Sequence, residues 1–245
     1  MRVLVVTAVA AEADSVVAGL TGLEHETRQL PGGYVVTRAA RTVPPPGATP
    51  RPPAAHPPVV DVLAAGVGPA AAAAGTATAL ALGTYDLVVS AGIGGGFQPQ
   101  APVGAVVVAD AIVAADLGAG TPDGFLPVDE LGFGRSVHLP PPELSARIAK
   151  TLDAVYAPVL TVSTVTGTAA RAAELSGRHP RAAAEAMEGF GVAEAAAAHF
   201  VPVLEIRAIS NPVGPRDRAA WRIGQALDSL RYAFDLIAPV LEEAP

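Results

Sequence analysis

The sequence predicts one α/β domain in which buried strands alternate with helices. Three observations carry that expectation. Arg2–Thr7 is a continuous apolar run of largely β-branched type, the mark of a strand buried on both faces, and Val203–Ile209 reads as a further buried strand. Alanine-rich stretches of helical length stand beside such runs, after Gly66-Val-Gly-Pro69 and after Met187-Glu188-Gly189. No charged or Gly/Ser-rich linker divides the 245 residues, and a hydrophobic content of 51% supports one substantial core.

Taken in order, Arg2–Thr7 is the first strand and Ala8–Leu20 the first helix, with Glu12 and Asp14 in its opening turns. Acidic residues there complement the helix dipole. Glu12 equally stands just past a strand's carboxyl end, where open α/β sheets bind ligands. Gly33–Ala40 and Val59–Ala65 read as strands. Between them Thr42–Pro58 carries eight prolines, cannot join a sheet interior, and reads as a surface loop of residues 42–58. A helix then runs to about Leu82, and Asp86–Ala91 is a strand leading into Gly92-Ile-Gly-Gly-Gly-Phe97. That glycine run reads as a tight turn whose backbone, at Gly92 and Ile93, approaches a ligand. A dinucleotide fingerprint fails, because Pro99 and Pro102 follow where a helix is required.

Val103–Ala109 is the next strand, and Asp110–Leu131 reads as irregular with solvated carboxylates and no calcium-loop spacing. Pro140–Leu152 is a helix and Val159–Ser163 a strand. Thr164–Thr168 is a hydroxyl-rich turn in which Thr166 is a cap or a ligand contact. Arg181–Ala186 is a short strand, and Trp221–Val240 an amphipathic helix covering the sheet. Across Glu185–Arg218, polar residues break the apolar pattern at two strand ends: Glu188, and Asn211 with Arg207 before it. They either meet at one site or serve as an N-cap and a pre-proline turn residue. The five histidines share no metal-ligand spacing, and no GxSxG elbow or Walker loop is present.

Composition narrows the function classes. A net charge of −7 argues against nucleic acid, although a few arginines can hold a small anion locally. With no cysteine, disulfides and thiolate metal sites are excluded, which fits a cytoplasmic location. Val3–Val6 is too short for a signal peptide or a membrane span, so no membrane partner is expected. Lys150 is the only lysine, a bias that reads as GC-rich coding.

The ordered set Ala8-x-x-x-Glu12, Gly92–Gly96, Met187-Glu188 and Arg207-Ala-Ile-Ser-Asn211 resembles the nucleoside phosphorylase / nucleosidase superfamily. Order and spacing are similar to the methylthioadenosine/S-adenosylhomocysteine nucleosidase branch over nearly the whole chain. The details Thr161–Thr168 and Ser210–Arg218 look more like the futalosine hydrolases, which remove hypoxanthine from futalosine in an alternative menaquinone pathway. The resemblance implies a three-layer single domain over 1–245, with a central twisted mixed β-sheet flanked by helices, assembled as a homo-oligomer (dimer or higher). It implies a purine nucleoside substrate and no cofactor or metal. Glu12 would be the general base for the attacking water, Met187 would line the ribose site, and Glu188 would hold the ribose hydroxyls. Asn211 would meet the purine, steadied by Arg207. Adenosine-type nucleosidases carry an aspartate at the position of Asn211. An amide donates to N7 and a 6-oxo oxygen together, so the exchange suits hypoxanthine. Ile93 stands where the family has a serine, which disfavours phosphate and favours hydrolysis. Arg216 and Arg218 are candidates for the substrate's tail carboxylate or are surface charge. Methylthioadenosine-type nucleosidase or purine nucleoside phosphorylase activity is the alternative, and a non-enzymatic nucleoside binder a further one, which should lack Glu12.

Overall fold

The computed structural model describes residues 1–40 and 59–242. The proline-rich loop expected at 42–58 lies outside the described residues. The chain runs β1 (Arg2–Thr7), α1 (Ala10–Gly19), β2 (Glu24–Gln29), β3 (Val35–Ala40), β4 (Val59–Ala64), α2 (Pro69–Leu82) and β5 (Leu87–Gly96). It continues through β6 (Val106–Ala114), β7 (Gly118–Thr121), β8 (Gly124–Pro127), β9 (Val137–His138), α3 (Pro142–Thr151) and β10 (Val155–Thr161). Last come α4 (Ala169–Arg178), β11 (Ala184–Ala186), α5 (Gly189–Ala198), β12 (Val203–Pro212) and α6 (Ile223–Glu242).

One mixed sheet has the order β11-β10-β6-β12-β5-β1-β4-β3-β2, with β9 paired to β6 and β7–β8 forming a separate hairpin. β1 is parallel to β4 and β5, whereas β12 is parallel to β5 but antiparallel to β6. β11 also pairs antiparallel with the end of β5, so β5, β12, β6, β10 and β11 close on themselves. The expected three layers are present. Alternation in β1 shows why its sequence is apolar throughout: Leu4 and Val6 enter the core beneath α2 and α5, while Val3 and Val5 enter the core beneath α1 and α6.

The glycine run departs from expectation. It is not a turn, because β5 continues through Gly96. Its glycines serve close packing: a Cβ on Gly96 would stand 2.0 Å from the Ala101 carbonyl oxygen, and one on Gly94 2.9 Å from that of Glu185. β2, with sequence EHETRQ, is exposed along its whole length and has no apolar pattern; pairing with β3 makes it a strand. The stretch from Asp110 is also more regular than expected, since β6 extends to Ala114 and the β7–β8 hairpin follows.

One charge is buried in the sheet away from the site. Asp61 of β4 accepts hydrogen bonds from Arg38 Nε (2.8 Å), Arg2 Nη2 (2.8 Å) and Tyr85 Oη (2.7 Å). Burial alone would raise its pKa, but these three donors outweigh it and hold the carboxyl at about 2. The cluster ties β3 to β4 and to the start of β1.

Candidate active site

The carboxyl ends of β1, β5, β11 and β12 converge on a cavity of about 320 Å³. Glu12, Ile93, Met187, Glu188 and Asn211 line it, together with Gly94, Gly95, Val165, Glu185, Ser210 and Trp221. A larger cavity of about 450 Å³ lies elsewhere, beside Met1, Asp86, Leu144 and Pro202 at the amino ends of the strands. It holds no convergent buried acid, so the smaller cavity is the chemical one.

Glu12 satisfies the start of its helix and also lines the cavity. From the third position of α1, Glu12 Oε2 accepts from the backbone N–H groups of Ala8 (3.0 Å) and Val9 (3.3 Å), satisfying the helix start. Oε1 accepts from Ile93 N (2.9 Å), which draws the carboxylate across to β5 at the cavity wall. Burial pushes its pKa up; the charge of Arg207 and the Ile93 N–H oppose that, while Glu188 adds to it.

Behind this wall lies an ion cluster. Arg207 is fully buried and donates Nη1 to Glu188 Oε2 (3.2 Å), Nε to Glu205 Oε1 (2.9 Å) and Nη2 to Ser90 Oγ (3.0 Å). Glu188 stands at the N-cap of α5 without capping it. Its other oxygen accepts from Gly68 N (3.2 Å), which fixes the carboxylate between two elements. Burial raises the Glu205 pKa, and the adjacent guanidinium partly offsets this. One positive charge thus serves Glu12, Glu188 and Glu205. Gly92 makes the approach possible, because a Cβ there would fall 2.6 Å from Glu12 Oε1 and 2.8 Å from Arg207 Nη1.

Three expectations are corrected by these contacts. Arg207 makes no bond to Asn211; its bonds go to Glu188, Glu205 and Ser90. Neither Arg207, Gly92 nor Thr166 lines the cavity; each stands one layer behind it. Asn211 is held instead by its neighbour: Ser210 Oγ donates to Asn211 Oδ1 (2.8 Å), and Asn211 Nδ2 reaches the Pro212 carbonyl (3.0 Å). The register explains the separation. Ile209 and Asn211 oppose consecutive residues Gly94 and Gly95, so β12 carries a bulge at Ser210 that re-aims the strand end.

The hydroxyl-rich turn divides its roles. Thr168 caps α4 by accepting from Arg171 N (3.2 Å), while Thr166 donates its N–H to Glu185 Oε1 (2.8 Å) and its hydroxyl to Glu185 Oε2. Glu205, Glu185, Ser90 and Trp221 were not singled out in the sequence. Glu205 carried a usable signal, because residues two apart on a strand share a face and Arg207 follows at that spacing. Trp221 lines the cavity, with the Arg216 and Arg218 guanidinium groups 5.7 and 6.0 Å from its ring centre. Among the described residues, no group of three or more His, Asp or Glu side chains is placed to hold a metal. No described helix is long and apolar enough to cross a membrane.

Comparison with known proteins adds to this geometry. Residues 55–237 match the family described as the Phosphorylase superfamily. The chain is 70% identical over 187 residues to a futalosine hydrolase of Streptomyces coelicolor, covering 74% of this chain and 80% of that protein. It is 46% identical over 236 residues to a futalosine hydrolase of Acidothermus cellulolyticus, covering 94% of this chain and 88% of that one. In fold it is similar to the native structure of futalosine hydrolase of Helicobacter pylori, with a TM-score of 0.76, 18% identity and 97% of each chain covered.

Proposed function

Because the chain belongs to the phosphorylase superfamily and, within it, to the futalosine hydrolase family, we propose that its cavity hydrolyses futalosine and releases hypoxanthine. It is a hydrolase acting on N-glycosyl bonds. The observation that carries the assignment of roles is the cluster in which Arg207 is bonded to Glu188 and Glu205 beside Glu12, facing Asn211 across the cavity.

Cleavage of the C1′–N9 bond passes through a ribosyl cation of oxocarbenium character. The carboxylate of Glu188, pinned by Arg207 and Gly68 N, grips the ribose hydroxyls and sets negative charge beside that cation. Glu12 takes a proton from the attacking water as its oxygen bonds C1′. Its raised pKa brings it nearer to neutral pH, where a base is most effective, and general-base assistance of this kind supplies about 10²–10⁴-fold. The bonding electrons leave with the purine, and the Asn211 N–H not held by the Pro212 carbonyl is shared between the N7 and O6 atoms where that charge spreads. Such a preorganised donor contributes about 3–4 kcal/mol. The departing purine takes up a proton from solvent while Glu12 releases to solvent the one it took from water, so the net reaction consumes one water and leaves the protein unchanged. Met187 lines the ribose end.

Hydrolysis is favoured over phosphorolysis by the lining itself. A phosphate dianion in this cavity would meet Glu12, Glu185 and Glu188. A homo-oligomer of cytoplasmic residence belongs to the same reading. The test is base release in phosphate-free buffer from futalosine, inosine and methylthioadenosine side by side. The expected result is hypoxanthine from futalosine alone. Adenine from methylthioadenosine, or no release until phosphate is added, would overturn the substrate or the reaction respectively.

A further inference from the structure

We propose that Glu185 is a second specificity-determining residue, its carboxylate accepting the N1–H of a 6-oxopurine whose N7 and O6 face Asn211. The inference rests on the reading of the substrate as a hypoxanthine nucleoside.

Glu185 lies in β11, is 4% exposed and lines the cavity, yet no step of the hydrolysis uses it. Both its oxygens accept from Thr166, one from the backbone N–H and one from the hydroxyl. With both oxygens engaged by Thr166, each still keeps a further lone-pair site toward the cavity when the group is ionised. Its hydrogen-bond donors are neutral, and among the described residues no Lys, Arg or His lies within ion-pair distance of it. Burial raises the pKa of this group, and the Thr166 bonds and the more distant charge of Arg171 offset that only in part, so a charge here is costly. A charge retained at such cost beside an open cavity points to a donor that arrives with the ligand.

The sheet register places that donor. Gly95 of β5 pairs with Glu185 on one side and with Asn211 on the other, so the two residues stand two strand spacings apart, about 10 Å between backbones. Gly94 and Gly95 form the floor between them without side chains. A flat bicyclic base fits between a carboxylate and an amide set that far apart. The edges then match: a 6-oxopurine presents acceptors at N7 and O6 and a donor at N1, whereas a 6-aminopurine presents an acceptor at N1. With adenine the N1 lone pair would face the Glu185 carboxylate, a repulsive element that rejects the wrong base. Sites built to hydrogen-bond a particular group discriminate strongly against analogues lacking it.

The experiment is calorimetric titration of hypoxanthine, 1-methylhypoxanthine and adenine into the wild-type protein and Glu185→Gln, with the futalosine assay run alongside. Wild type is expected to bind hypoxanthine at least tenfold more tightly than either analogue. In Glu185→Gln, whose amide can donate to adenine N1, the preference for hypoxanthine over adenine should shrink at least tenfold. Equal wild-type affinity for hypoxanthine and 1-methylhypoxanthine overturns the proposal whether or not the variant folds, as does an unchanged preference in a folded variant. If wild type cleaves futalosine but ignores N1 methylation, Glu185 alone is misassigned. If it neither cleaves futalosine nor binds hypoxanthine, the underlying reading fails as well.

Discussion

Replacing Arg207 with methionine keeps most of the side chain's length and removes its charge. Three hydrogen bonds vanish, to Glu188, Glu205 and Ser90, and two buried carboxylates lose their only cation among the described residues. Removing one partner of a buried ion pair costs about 3–5 kcal/mol. For a chain of this size each kcal/mol moves the melting temperature by about 2–4 °C, so Arg207→Met should melt about 6–20 °C lower at neutral pH. The pH dependence carries a sign. Burial already raises Glu205 and Glu12 above their ordinary value of 4.5 in the folded protein, and loss of the guanidinium raises them further. Between 4.5 and its folded pKa, such an acid holds more protons folded than unfolded, so stability falls as pH rises through that window. The defect should therefore be smaller at pH 5 than at pH 8. Differential scanning calorimetry of both proteins at the two pH values tests this. A melting temperature within about 2 °C of wild type at pH 8, or a loss independent of pH, would refute the view that one cation stabilises this acidic cluster.

Two further outcomes follow from the site. Glu12→Gln preserves the shape and the bond from Ile93 N but cannot take a proton. It should bind hypoxanthine as wild type does while kcat on futalosine drops about 10²–10⁴-fold, and turnover within threefold of wild type would remove Glu12 from the reaction. Asn211→Asp can place a proton on N7, so it should shift relative kcat/KM from 6-oxo toward 6-amino nucleosides; an unchanged ratio of futalosine to methylthioadenosine cleavage would sink the role given to the amide.

Legibility in the sequence followed local physics. β1 could be read because a strand covered on both faces must be apolar, and Glu12, Glu188 and Asn211 because charge or amide at the end of a buried strand needs a reason. The glycine run misled because glycine signals both turns and crowding. Only the neighbours that a Cβ would strike, Ala101 and Glu185 among them, show that crowding applies. β2 was invisible because its strand character comes from its partner. The bond between Arg207 and Glu188 joins β12 to the start of α5, a contact made by the fold and not by spacing along the chain. Glu185 looked like one more polar residue in an alanine-rich stretch until Thr166 and Gly95 were placed around it.

The bulge at Ser210 has a consequence for how such a site changes over generations. Upstream of it, β12 holds the charged core that the reaction depends on, and a substitution there disturbs three partners at once. Downstream, among the described residues, the Asn211 side chain is hydrogen-bonded only to its immediate neighbours Ser210 and Pro212. A single codon change at position 211 can therefore alter which base is accepted without disturbing the ion cluster. The ion cluster and the group that meets the purine sit on one strand yet are free to change separately.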